Sequence, residues 1–265
     1  TEGNPMTSGI ALITGATAGI GESFSRLLAA KKYDLVLVAR DEARLNERAE
    51  ALRSQYQIKV EVLRADLSEI TGCERVEARL RDQSKPIDVL INNAGFGINK
   101  AFTASDLSDE SALLDVLVRA PMRAMHAVLP LMKSRGSGII INVSSVAGWI
   151  AGGTYSAAKS YLTVLTESLH TELRGSGVKI TALCPGFTRT EFHQRGRMKM
   201  TGLPQFLWLS ADRVVAEGWN AAISGKVISI PGKQYAILSF VSRFGPRPLV
   251  RRLGMNVRIR QRKPN

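Results

Sequence analysis

Cysteine is nearly missing from this chain: Cys73 and Cys184 are its only two in 265 residues. They match no metal-ligand or disulfide spacing, so neither a zinc knuckle nor a cross-linked secreted scaffold is expected, and the usage fits a reduced, cytoplasmic protein held together by its core. Histidine is as sparse. His126, His170 and His193 stand far apart with no second ligand near any of them, and no metal site is expected. No apolar run approaches the ~20 residues of a membrane-spanning helix. The polar residues 1–8 carry no basic-then-apolar leader pattern and are expected to be a disordered segment or an appended remnant. Between residues 10 and 230 there is no linker, repeat or low-complexity tract, and with 45% hydrophobic residues a single domain over 9–232 can bury a substantial core.

Acidic residues are absent from the end of the chain. Residues 243–265 hold eight Lys or Arg and no acid; without them the net charge of +13 falls to +5, from 28 basic and 23 acidic residues. The excess therefore belongs to the tail, and since no recognition-helix or aromatic-platform pattern accompanies it, no nucleic-acid partner is expected. Residues 234–253 interleave Tyr235, Ile237, Leu238, Phe240, Val241 and Phe244 with Arg243, Arg247, Arg251 and Arg252. The favoured reading of residues 233–265 is a terminal helix packed on the fold with a solvated basic end; the other is weak peripheral contact with an anionic membrane.

What is present is a set of ordered motifs. Tyr155 and Lys159 lie four apart in a stretch, 154–173, whose apolar residues recur at helical spacing, so both side chains leave one helix face. A free phenol has a pKa near ~10, and a cation beside it favours the phenolate, which suits Tyr155 to exchange a proton near neutral pH. Ser145 follows an apolar run, 139–143, that reads as a buried strand, and its hydroxyl can orient a carbonyl or alcohol oxygen. Residues 10–13 form a short apolar run ending in a turn that contains Gly15, Thr17, Gly19, Ile20 and Gly21, after which Phe24, Leu27 and Leu28 continue at helical spacing. Strand, glycine turn and helix together bring backbone amides and a helix dipole up to a pyrophosphate. A second strand, 35–38, ends in Ala39 and Arg40. An acid there would accept from a ribose 2′-hydroxyl, whereas an arginine offers a fork of donors to a 2′-phosphate, so NADP (as NADPH) is the expected cofactor. Asp41 argues the other way, unless it is occupied in capping the helix that follows.

With Asn92-Asn93-Ala94-Gly95 and Pro185-Gly186 in the same order along the chain, these motifs resemble the short-chain dehydrogenase/reductase family over residues 10–230. The resemblance implies an α/β fold, a doubly wound Rossmann-type, mostly parallel sheet of about seven strands with helices on both faces in a single domain. It implies that Asp66 and Leu67 contact the adenine, although Asp66 also reads as a cap for a helix over 68–81. Asn93, Ala94 and Gly95 would border the adenosine ribose, Pro185, Gly186 and Thr188 the nicotinamide, and Lys159 would hold the nicotinamide ribose. It implies a substrate lid at 187–210, whose Met198, Met200, Leu203, Phe206, Leu207 and Trp208, together with Phe96, Ile98, Trp149 and Ile150, suit a lipophilic ketone or secondary alcohol; the same residues would equally close a core or a subunit contact. Family members pair through long helices that here correspond to 107–132 and 154–174, so a homodimer or homotetramer is expected. One position departs from the pattern: Leu117 stands where relatives carry an asparagine that helps hold a water linking the lysine to solvent. Pro121, four residues on, cannot donate to the Leu117 carbonyl, which is left free for that water if the helix is distorted there. Leu117 also motivates a rival reading, a catalytically impaired NADP-binding regulatory protein.

Overall fold

The computed structural model describes residues 8–190, 204–246, 248 and 250–251. Met198, Met200 and Leu203 of the expected lid, residues 1–7 and most of the basic tail lie outside the described residues. Seven strands form one parallel sheet: β1 (Ile10–Thr14), β2 (Asp34–Ala39), β3 (Val60–Arg64), β4 (Val89–Asn92), β5 (Gly138–Val143), β6 (Val178–Leu183) and β9 (Ile228–Ser229), in the order β3-β2-β1-β4-β5-β6-β9. A separate two-stranded pair, β7 (Thr188–Arg189) and β8 (Leu209–Ser210), brackets the lid segment.

The sheet is buried on both faces, which is why its strands read as nearly unbroken apolar runs. Alternate residues point opposite ways. Ala11 and Ile13 of β1 join a core with Phe24 and Leu28 of α1 (Gly19–Ala30), Leu45 of α2 (Glu42–Tyr56) and Val214 and Trp219 of α7 (Ala211–Ile223). Leu12 between them joins the opposite core, with Val76 and Leu80 of α3 (Ile70–Leu80), Val128 and Met132 of α5 (Ala120–Arg135) and Leu162 of α6 (Thr154–Glu172). Strand order reverses between β1 and β4, and a crevice opens at the carboxyl ends of parallel strands at such a point. The turns after β1, β4, β5 and β6 all lie along this one edge.

Two helices differ from expectation. The helix expected over 107–132 is broken into α4 (Leu107–Leu114), a π-helical turn at Asp115–Arg119 and α5; the Ala120 N–H donates to Asp115 O, five residues back. Pro121 supplies the reason, since it has no N–H to continue the four-residue ladder. Strand β9 is short, pairing Ala182 with Ile228 and Leu183 with Ser229. The third helix starts at Ile70 rather than 68, because Asp66 turns on Ser68 first: Asp66 Oδ1 accepts from the Ser68 amide (2.9 Å) and hydroxyl (2.7 Å).

The sheet also contains a polar thread. Asn92 Nδ2 donates to Asn142 Oδ1 (2.8 Å) and Asn142 Nδ2 to Thr166 Oγ1 (2.9 Å), all three residues buried, tying β4, β5 and α6 together just below the crevice. Replacing Asn142→Ala strands the Asn92 amide, and urea unfolding should show a loss of about 2–4 kcal/mol. An unchanged midpoint would mean that the thread contributes nothing.

Candidate functional site

The glycine turn is shaped by close contacts. Gly15 and Gly19 have φ of +67° and +58°, where side chains are strained, and a Cβ on Gly21 would collide with the Gly15 carbonyl. Thr14 and Asn93 lock this turn to the one after β4. Thr14 Oγ1 accepts from the amides of Asn93 and Ala94, each at 3.0 Å, while Asn93 Nδ2 donates to the carbonyls of Thr14 (3.0 Å) and Gly15 (3.1 Å). Helix α1 starts after Ala18, which has no capping side chain, so its first amides are left for an anion. Ile20 anchors the turn by packing on the core. A cradle that Cβ atoms would fill, facing uncapped helix amides, fits the pyrophosphate of a dinucleotide.

The end of β2 carries the expected arginine. Arg40 is 73% exposed and 3.9 Å from Asp66, whose carboxyl is held below its usual range by Ser68 and Arg40 against the opposing effect of burial. Asp41 is engaged as the α2 cap, accepting from the Arg44 amide at 3.0 Å. Arg44, which the motif reading missed, donates to the Thr17 carbonyl (3.4 Å) and so brings a second guanidinium to the glycine turn. Its only signal was its place in the first turn of α2. Leu67 is buried in the second core.

Ser145, Tyr155 and Lys159 come together as the spacing expected. Ser145 lies two residues past the end of β5, and its hydroxyl accepts from the Ala147 amide at 3.1 Å. The short helical turn that follows (Val146–Trp149) packs closely on α6, since a Cβ on Gly148 would stand 3.0 Å from the Ser160 amide. That contact sets Ser145 within hydrogen-bonding reach of the Tyr155 hydroxyl. Lys159 Nζ lies 5.7 Å from the Tyr155 ring centre and donates to Val143 O at 2.6 Å.

The electrostatics differ from the expectation of a depressed phenol. Part of the Tyr155 side chain is accessible, but its hydroxyl is crowded by protein, and desolvation pushes the phenol up to about 12, with the Ser145 hydrogen bond pulling the other way. Lys159 is 4% exposed, and burial lowers it to about 8, with the nearby Cys184 opposing. Burial likewise raises Cys184 to about 12 despite bonds to Thr163 and Ser144. Lys159 gives one of its three N–H donors to the Val143 carbonyl, and in the absence of cofactor desolvation decides the phenol's value.

Leu117 sits in the π-helical turn, buried against Leu113 and Ala158, with Phe96, Ile98 and Tyr155 around them. A Cβ on Gly95 would stand 2.8 Å from Leu117 Cδ2 and 4.0 Å from Lys159 Nζ, so these three residues meet. Behind them a cavity of about 20 Å³, lined by Thr14, Asn92, Leu117, Pro121 and Lys159 among others, has room for roughly one water.

On the opposite side, Ser144 N donates to Leu183 O (2.7 Å) and Val146 N to Pro185 O (3.1 Å), which sets Ser145 beside the Pro185-Gly186 loop. Thr188 is buried and donates to Gly186 O at 3.1 Å. The residue that holds this loop is Tyr235, at the start of α8 (Lys233–Phe244) and 1% exposed. Its hydroxyl accepts from the Phe187 amide (3.0 Å) and donates to Leu207 O (2.5 Å), and its ring fills the space where Gly186 lacks a side chain. Sequence reading placed Tyr235 in the terminal segment and gave it no role. Trp149, expected to face the lid, lies against the Arg243 guanidinium at 5.4 Å, whereas Trp208 packs on Phe187 at 5.9 Å.

Comparison with known proteins identifies the family to which this fold belongs. A family model described as short chain dehydrogenase matches residues 9–200. The ketoacyl reductase HetN of Nostoc sp. is 30% identical over 243 residues, covering 90% of this chain and 83% of that protein. Among solved structures, a short-chain dehydrogenase from Sphingobium yanoikuyae in complex with NADPH is 32% identical, with a TM-score of 0.81 over 97% of this chain and 98% of that one. A bulky-bulky ketone specific alcohol dehydrogenase from Comamonas testosteroni is 28% identical, with a TM-score of 0.78 over 98% of both chains.

A buried lysine with a depressed pKa makes stability depend on pH. Between pH 8 and 9 the unfolded chain keeps a proton on Lys159 that the folded protein sheds, so stability rises with pH there, by about 1 kcal/mol for a group at about 8. Urea unfolding should show the rise in the parent and not in Lys159→Met; equal slopes would contradict the assignment.

Proposed function

Because this chain belongs to the short-chain dehydrogenase/reductase family, we propose that it interconverts a ketone and a secondary alcohol with NADP(H), on a lipophilic substrate. Oxidoreductase activity follows from the family; the substrate class, the cofactor form and the residue roles are our reading. The observation that carries it is the meeting of Ser145, Tyr155 and Lys159 at the crevice beside a turn built for a pyrophosphate.

When bound, the dinucleotide supplies or removes the hydride. Gly15, Thr17, Gly19, Ile20 and Gly21 would hold its pyrophosphate, and Asp66, Leu67, Asn93, Ala94 and Gly95 its adenosine half. Pro185, Gly186 and Thr188 would border the nicotinamide. Arg40, with Arg44 near the turn and Asp41 engaged as a cap, supports the 2′-phosphate form. Ser145 orients the substrate oxygen, and Tyr155 gives it a proton in reduction or takes one in oxidation. A phenol held near 12 donates its proton weakly, so turnover near neutral pH requires the Lys159 charge to act on it. At about 8, Lys159 is mostly cationic at pH 7 and able to do so. Reprotonation runs through the cavity behind Lys159 by way of the Leu117 carbonyl, in place of an asparagine side chain.

Phe96, Ile98, Leu113 and Leu117 around Tyr155 support an apolar substrate, and the bulky-ketone specificity of the Comamonas enzyme points the same way. Exposed Met122 on α5 and Tyr161 and Val164 on α6 support a homo-oligomer through those helices.

A panel of lipophilic ketones with NADPH oxidation followed at 340 nm tests the reading directly. Tyr155→Phe should lose about 10²–10⁴-fold in turnover while keeping NADPH affinity; retained turnover would overturn the role of the phenol. Arg40→Ala should weaken NADPH about tenfold or more and leave NADH unchanged, with equal losses for the two cofactors as the contrary result. Leu117→Asn should change turnover by less than about tenfold; a gain of several orders of magnitude would show the relay to be broken in the parent.

A further inference from the structure

The last acidic residue in the chain is Glu217, and the 48 residues after it hold ten Lys or Arg and no acid. Helix α8 lies in this run and packs with its small and polar side inward. Tyr235, Ser239 and Ser242 are buried, while Ile237 (68% exposed), Phe240 (65%), Val241 (41%) and Phe244 (70%) form an outward apolar stripe at i, i+3, i+4 and i+7. The Phe240 and Phe244 rings meet at 4.9 Å, tilted by 48°, and Arg243 lies over Phe244 at 5.8 Å. The stripe continues onto Phe206, 69% exposed, whose carbonyl accepts from Gln234 Nε2 at 3.1 Å. A helix packed purely as a terminal cap would turn Ile237 and Phe240 inward and leave the serines to water.

We propose that this face is a docking surface for an anionic lipid bilayer. The apolar stripe would enter the boundary between headgroups and acyl chains, and Lys233 and Arg243 of the same helix would face anionic headgroups. A second copy fits poorly on the same face. A two-fold contact there would bring two basic runs together, offset by little more than Glu167, which pairs with Arg243 at 3.6 Å, and exposed apolar residues on α5 and α6 already offer a seam for self-association. A nucleic acid would use the charge but leave the stripe in water. Through Tyr235 and Phe206, α8 is joined to the lid segment and the Pro185-Gly186 loop, so a docked bilayer would lie beside the crevice.

Flotation of the full chain with vesicles tests this without reference to catalysis. The parent should float with phosphatidylcholine vesicles that contain phosphatidylglycerol, and at least about tenfold less with pure phosphatidylcholine or in high salt. The exposed triple variant Ile237→Ser, Phe240→Ser, Phe244→Ser should keep the parent's thermal midpoint and gel-filtration size and lose flotation about tenfold or more. In a second readout, Phe240→Trp should show a blue-shifted indole emission on adding the anionic vesicles. Absence of parent flotation, equal flotation of the triple variant, indifference to lipid charge and salt, or an unshifted indole would overturn the proposal. So would a change in gel-filtration size of the triple variant with no vesicle binding by the parent, which would assign the face to a second copy.

Discussion

A charged amine enclosed by protein is the constraint on which the site depends. Lys159 is 4% exposed, and a buried ammonium persists only where the fold provides acceptors for it. The Val143 carbonyl at 2.6 Å is one, and it is available because β5 ends there and the chain turns aside into Ser144 and Ser145. The carbonyl of Lys159 itself accepts from Ser144 (2.8 Å), as well as from Thr163 within the helix (3.0 Å), so the amine and the carbonyl of one residue both fasten α6 to the end of β5. Tyr155, one turn earlier, is carried into place by that attachment, and Ser145 arrives from the strand. The polar thread from Asn92 through Asn142 to Thr166 aligns the same elements from below.

Burial has a chemical consequence. It raises the phenol to about 12 and lowers the amine to about 8, driving apart two proton affinities that are nearly equal in water, so the phenol holds its proton more firmly than the amine until charge is brought to bear on it. The π-helical turn at Asp115–Arg119 belongs to the same arrangement. It brings Leu117 against Gly95 and Lys159 and leaves a small cavity behind the amine, where a regular helix would continue its ladder past Pro121.

Much of the fold was legible in the sequence, for identifiable reasons. Strands β1, β2, β5 and β6 are buried on both faces and therefore stand out as apolar runs, and the helices between them carry a clear period. Gly15 and Gly19 were legible because positive φ restricts the residue type, and Tyr155 with Lys159 because four residues make one helical turn. What was not legible depends on contacts between distant segments. Tyr235 reads as one aromatic in an apolar tail until its hydroxyl is seen between Phe187 and Leu207. Arg44 lies four residues from Arg40, in a part of α2 where surface charge is ordinary, and only the tertiary fold shows it at Thr17. The phenol's raised pKa was invisible as well, because spacing reports that a cation is near and says nothing of the desolvation that opposes it. Nor does the α8 sequence state which of its sides faces in.

The most direct measurement is the ionisation of Tyr155 itself, read as the tyrosinate absorbance difference between the parent and Tyr155→Phe, with and without saturating NADP⁺. Without cofactor no difference should develop below about pH 10, in keeping with a phenol held near 12. With NADP⁺ bound, the difference should move down by several pH units in the parent and stay high in a Lys159→Met background. A phenol that titrates at the same pH with and without NADP⁺, or that falls equally when Lys159 is gone, would contradict the role assigned to the buried amine.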